Sequence, residues 1–261
     1  MALVQHTDSA PKDEEDIGNE TSGKMSFLDH LDELRKRLVA SVLSLLAGFL
    51  IAFAFISPIF DFIMRPLQEI LPGDGRLVYT EPTEAFFLYI KIAALAGLIL
   101  AIPIIFYQLW RFVAPGLYAR EKKFAIPFVF FASSFFILGA LFSHFLLFPW
   151  AWAFFAGFTS DYMQFFPRIQ PAFSLYVKLL LACGAVFQMP TLVFFLARVG
   201  AVTAGFLIRN TKYAILLIFI FAAVLTPTGD PVTLTMMAAP MIALYGLSII
   251  IAWVCQRRNT A

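Results

Sequence analysis

The chain has 261 residues, of which 61% are apolar and only 14% charged, with a formal net charge of +2 and a mean hydropathy of +0.82. A soluble domain carries about 25% charged residues, so there is too little polar surface here to cover a globule in water, and lipid is the covering the composition allows. The two cysteines, Cys183 and Cys255, belong to no CxxC or Cys/His cluster, which argues against a disulfide framework or a cysteine metal site.

Residues 1–24 are polar and acidic and contain no apolar run of the signal-peptide kind, so they are expected to form a disordered tail. Ser26–Leu38 (SFLDHLDELRKRL) follows. Ser26 with Asp29 three residues on is a helix-capping pattern. Phe27, Leu31, Leu34 and Leu38 recur at helical spacing opposite Asp32, Glu33, Arg35, Lys36 and Arg37. The pattern predicts an amphipathic helix lying on the inner membrane surface and feeding the first span. Helices on an anionic leaflet normally present Lys and Arg, whereas this one also presents Asp29, Asp32 and Glu33. Such carboxylates point either to a cationic partner or to local neutralisation, as by Arg37 four residues after Glu33.

Apolar runs bounded by charges or prolines predict six spans, at about 38–57, 85–110, 125–149, 172–197, 213–226 and 232–254. The expected fold class is therefore an all-α polytopic membrane protein. One six-helix domain would cover 25–255, with a short basic tail at 256–261. Pro103, Pro190 and Pro240 fall inside predicted helices and are expected to bend them. The fifth span is short: fourteen residues reach about 21 Å, against about 30 Å of hydrocarbon.

The basic residues are segregated. Lys12, Lys24, Arg35, Lys36, Arg37, Arg111, Arg120, Lys122, Lys123, Arg198, Arg209, Lys212, Arg257 and Arg258 fall on the side of the N-terminus; only Arg65, Arg76, Lys91, Arg168 and Lys178 fall on the other. Cytoplasmic segments are the basic ones, so both termini are expected inside.

Little ionisable chemistry lies at depth. No Asp or Glu falls in the middle of a predicted span, and Gln188 is the main deep polar residue. It is expected either to hydrogen-bond a neighbouring helix or to satisfy the carbonyl freed by Pro190. Lys91 and Lys178 are placed to snorkel outward. His144, near the outer end of the third span, reads as a packed histidine. In the loop Arg111–Lys123 (RFVAPGLYAREKK), Glu121 is the one acid among four basic residues, open to a cationic ligand or to simple pairing. No hydrolase elbow, zinc motif, Walker loop or dinucleotide fingerprint occurs, so no enzyme and no cofactor or metal is expected.

HLDELRKRL at 30–38, AIPIIFYQLWRFVAPGLYAREKK at 101–123, FPWAWAFF at 148–155, FQMP at 187–190, and LTPTGD with AAPM at 225–230 and 238–241 carry a resemblance. Over about residues 25–255 the chain resembles the TatC family of the twin-arginine protein translocase. That resemblance implies binding of twin-arginine signal peptides of folded proteins at the cytoplasmic face of the bacterial inner membrane. It also implies recruitment of single-span TatA- and TatB-type partners, self-association within the receptor complex, and export driven by the proton-motive force. No nucleic acid is implied.

By the same resemblance Glu33 and Glu121 match the signal-binding glutamates. Arg35, Phe112, Pro115 and Leu117 belong to the same surface; Pro66 helps shape the outer cap; Gln188 and Thr226 are groove or partner positions. Two positions depart from the family pattern: Gln188 and Gly246 each stand where Glu is common. A small-solute permease is the alternative, and it would need an internal repeat or a mid-membrane ion site. An intramembrane enzyme would have only Ser133, Ser134 and His144 to draw on.

Overall fold

A chain inside lipid must satisfy its backbone hydrogen bonds internally, and a helix does so within one segment. The computed structural model, which describes residues 27–70, 77–113, 125–159, 162, 165–226 and 231–259, is correspondingly helical. The predicted tail at 1–24 and residues 227–230 and 260–261 lie outside the described residues, whereas the short basic tail expected at 256–261 is helical as far as Asn259, because α10 continues through it. The described helices are α1 (Phe27–Ala54), α2 (Ile56–Gln68), α3 (Pro82–Val113), α4 (Ala125–Phe142), α5 (Phe148–Ala156), α6 (Ile169–Val186), α7 (Met189–Arg198), α8 (Ala204–Arg209), α9 (Thr211–Leu225) and α10 (Pro231–Asn259). Five segments among them are long and apolar enough to span a membrane, and α9 is a shorter sixth apolar helix.

Several elements differ from the sequence expectation. The amphipathic stretch is not a separate surface helix, because α1 runs unbroken from Phe27 to Ala54. No Gly or Pro interrupts it before Gly48, so nothing in the chain favours a turn there. Its apolar stripe, Leu31, Leu34 and Leu38, is exposed, while Glu33 and Arg37 turn toward α3. Pro58 does not end helical structure either. The break comes at Phe55, and Pro58 sits in the first turn of α2, where its missing N–H is harmless. The third span does not stop at 149: it passes through a π-helical turn, Ser143–Leu147, and continues as α5 to Ala156. The fourth span is interrupted at Phe187–Gln188, and Pro190 lies in the opening turn of α7.

α1 packs on α3 at a backbone crossing. A Cβ added to Gly48 would stand 2.5 Å from the Gly97 carbonyl oxygen, so only glycine permits this approach. α6 crosses α4 in the same way, where a Cβ on Gly139 would stand 2.6 Å from the Cys183 carbonyl oxygen. The core contains Ile92 of α3, Phe148 of α5, Leu179 of α6 and Met237 of α10. The outside is as apolar as the inside: Leu50, Phe86, Ile126, Phe130 and Val224 are all exposed. Lipid is the solvent that suits such a surface.

The π-turn has a local consequence. Its extra residue re-aims the side chains it carries, and His144 is buried, sharing a 3.1 Å hydrogen bond with the Tyr176 hydroxyl of α6. The Phe62 ring of α2 stacks on it at 4.3 Å. With α5 included, His144 lies about 18 Å from the helix end rather than near it. Ser133 and Ser134 stand ten or more residues away in the same continuous run, about 15 Å along the axis, so no Ser–His pair forms.

Candidate functional site

The basic end of the bundle is built by the first turns of α1 and the last turns of α3. Two contacts hold them side by side. The His30 ring stacks on Phe112 at 4.6 Å. One to two turns further along α1, Arg37 Nη1 donates to Gln108 Oε1 at 3.4 Å. Arg37 Nη2 donates to Glu33 Oε1 at 3.0 Å, and the two side chains are 21% and 17% exposed. Glu33 therefore sits one turn from His30 and one turn from Arg37 on the α1 face that meets α3. Arg35 points away from this face and is exposed.

Beneath this surface Trp110 is buried between Phe128 of α4, at 4.7 Å, and Phe195 of α7, at 5.8 Å. The cluster joins the helix that ends at Val113 to the one that begins at Ala125. Glu121, Pro115 and Leu117 belong to the stretch between the two and lie outside the described residues. Arg111 lies over the Tyr107 ring at 5.8 Å and Lys212 over Tyr213 at 5.0 Å, so cations at this end rest on aromatic faces.

At depth, Gln188 Nε2 donates to the Ala132 carbonyl of α4 at 3.0 Å. The side chain thus bonds a neighbouring helix, one of the two outcomes expected of it. Thr226 is buried, and its hydroxyl donates to the Ala222 carbonyl of its own helix at 2.8 Å. It presents no free donor to a partner. Pro66 lies half-buried inside α2, between Met64 and Leu67, which pack into the core. An apolar hollow opens between α4, α7 and α10, lined by Phe128, Phe131, Phe194, Leu247 and Ile251. Thr191 also lines it, and its buried hydroxyl has no hydrogen-bond partner among the described residues. On α10, a Cβ added to Gly246 would meet nothing within 4 Å, so that position faces open space.

The opposite end holds a contact that sequence reasoning missed. Arg168 Nη2 donates to Glu84 Oε1 at 2.6 Å and to Thr80 Oγ1 at 2.7 Å, and the Thr80 N–H donates to Glu84 Oε2 at 3.0 Å. Backbone bonds from Val78 to Pro167 and from Ile169 to Val78 run alongside. The available signal was an acid in the opening turn of one predicted helix and an arginine just before another on the same side. Lys91 and Lys178 are exposed, as snorkelling requires.

Residues 29–240 match the family model described as the Sec-independent protein translocase protein TatC. The chain belongs to the TatC family. It is 42% identical over 248 residues to the TatC of Koribacter versatilis, covering 93% of this chain and 90% of that one. It is 44% identical over 227 residues to the TatC of Desulforapulum autotrophicum, covering 87% and 84%. Its fold is similar to the crystal structure of the twin-arginine translocase receptor TatC, with a TM-score of 0.72, 36% identity, and coverage of 87% of this chain and 99% of that one. TatC family membership accounts for the multi-pass apolar architecture and disfavours the permease reading.

Proposed function

We propose that this chain is the receptor and scaffold subunit of a twin-arginine translocase in the bacterial inner membrane, and that it is not an enzyme. In this reading both termini and the basic end face the cytoplasm. Glu33 and Glu121 accept the two guanidinium groups of a twin-arginine signal peptide on a folded precursor. Each guanidinium can give a carboxylate two parallel hydrogen bonds, which a lysine ammonium cannot reproduce. Arg35, Phe112, Pro115 and Leu117 shape the surface around the two acids.

The observation that carries this reading is the state of Glu33, a largely buried carboxylate at the basic end that already accepts a hydrogen bond from a guanidinium. The hollow between α4, α7 and α10, with the unpartnered Thr191 hydroxyl, suits the transmembrane helix of a single-span TatA- or TatB-type subunit. Gln188 supports that wall through its bond to Ala132, Thr226 closes the end of the short α9, and Pro66 helps shape the cap at the far end. Self-association completes the receptor complex, and the proton-motive force drives export through assembly of these partners.

The test is binding of a fluorescent twin-arginine signal peptide to the protein in nanodiscs, against a twin-lysine peptide of otherwise identical sequence. Tighter binding of the arginine peptide, weakened by Glu33→Ala and by Glu121→Ala, is expected. Equal affinity for both peptides, unaffected by either substitution, would overturn the assignment.

A further inference from the structure

The Glu33 carboxylate is not vacant. Arg37 donates to Oε1 through Nη2 alone and spends Nη1 on Gln108, 71 residues away on α3. It therefore does not make the two-bond fork that an arginine and a carboxylate can form. The Gln108 bond is long, at 3.4 Å, and Arg37 Nε is buried without a hydrogen-bond partner among the described residues. A buried donor left unmade is costly. The guanidinium is thus stretched between two acceptors and satisfied fully by neither.

We propose that Arg37 is a resident competitor for Glu33, and that an incoming guanidinium binds by displacing it from the carboxylate. This rests on the receptor reading above and adds the mechanism by which affinity is set there. The exchange replaces like with like: Glu33 loses one charge-assisted bond from its own helix and gains a fork from the ligand. Arg37 remains tethered to Gln108 and to the helix surface, ready to return when the ligand leaves. Net affinity is then the difference between two carboxylate–guanidinium interactions rather than the whole of one. A receptor that must release each ligand after transport gains reversibility from such an arrangement. Lysine fares worse, because its ammonium cannot form the fork that would compensate for the displaced Arg37 bond.

The proposal makes Arg37 different from its neighbour Lys36, which is exposed and carries the same charge in the same turn. Removing either cation lowers repulsion toward a cationic peptide. Only removal of Arg37 also frees the carboxylate. The experiment measures twin-arginine peptide affinity in nanodiscs for wild type, Arg37→Gln, Lys36→Gln, Glu33→Gln and the Glu33→Gln/Arg37→Gln double variant. Arg37→Gln is expected to bind about tenfold tighter than Lys36→Gln, the gain of one charge-assisted hydrogen bond. That advantage should vanish in the Glu33→Gln background, since the competition is for that carboxylate. Arg37→Met, which keeps the apolar stem, replaces the glutamine variant if the latter does not reconstitute.

The outcomes separate the two claims. A wild type that does not bind the peptide, or binds it independently of Glu33, overturns the receptor role of this site and the exchange with it. Glu33-dependent binding in which Arg37→Gln is no tighter than Lys36→Gln, or is weaker, overturns the exchange alone and makes Arg37 a residue that merely positions Glu33.

Discussion

Glu84 and Arg168, 84 residues apart in the chain, meet at 2.6 Å at the end of the bundle opposite Glu33. The acid is almost fully buried; the arginine is half exposed. Together with the Val78 backbone bonds they fasten the start of α3 to the start of α6. The carboxylate sits in the first turn of α3, where the helix dipole favours negative charge. It therefore has three supports: the arginine, the Thr80 N–H and the helix terminus.

Arg168→Ala would remove the cation and leave Glu84 with the Thr80 N–H and the helix terminus. The melting temperature in detergent is expected to fall by a few degrees. Glu84→Gln, which keeps the shape and one acceptor, should cost less. An Arg168→Ala protein that melts with wild type would show that the clasp contributes nothing to stability.

Gly97→Val would drive a branched side chain into the α1 backbone, which already stands 2.5 Å from the site of a Cβ. Overpacking of this kind costs about 1–3 kcal/mol. Because α1 is held mainly by α3, the same change should also weaken peptide binding by displacing Glu33. The check is a pair of measurements, thermal unfolding and peptide affinity, which should fall together.

His144→Phe would leave the Tyr176 hydroxyl buried with no partner. An unmade buried hydrogen bond costs about 1–3 kcal/mol. His144→Phe with Tyr176→Phe removes both partners and should recover much of that loss, so stability of the double variant decides the matter.

Gln188→Ala should cost about 1 kcal/mol, the worth of an interhelical bond in a membrane. Gln188→Met, which keeps the length but removes the donor, should lose as much. Thermal unfolding of the two variants tests this; melting temperatures equal to wild type in both would mean that the bond to the Ala132 carbonyl contributes nothing.

Glu33→Ala removes one partly buried ion pair between residues i and i+4 of a single helix, worth about 0.5 kcal/mol. The variant should therefore fold and melt as wild type does while binding the twin-arginine peptide less tightly. A large drop in melting temperature would mean that Glu33 is a structural residue.

Much of the architecture was legible in the chain, and for a simple reason. Each span must be apolar along its own length, so Pro82–Val113 or Pro231–Cys255 announces itself locally. Shortness of α9 was equally local, set by Lys212 in its first turn and by Pro227 shortly after it in the sequence. Helix ends were less legible. Pro58 and Pro149 look like stops, yet each lies in the first turn of a new helix, where proline costs nothing.

The candidate site divides in the same way. That Glu33 is unusual could be seen from its carboxylate neighbours on a surface expected to be basic. That it faces α3 rather than the bilayer surface could not, since this depends on the Gly48–Gly97 crossing that sets the rotation of α1. Local sequence determined which segments cross the membrane, which end is basic and where helices can break, because those properties depend on neighbours in the chain. Only the tertiary structure decided that Arg37 bridges Glu33 and Gln108, that Gln188 bonds Ala132, and that Glu84 finds Arg168, because each partner is brought in from a distant helix by packing.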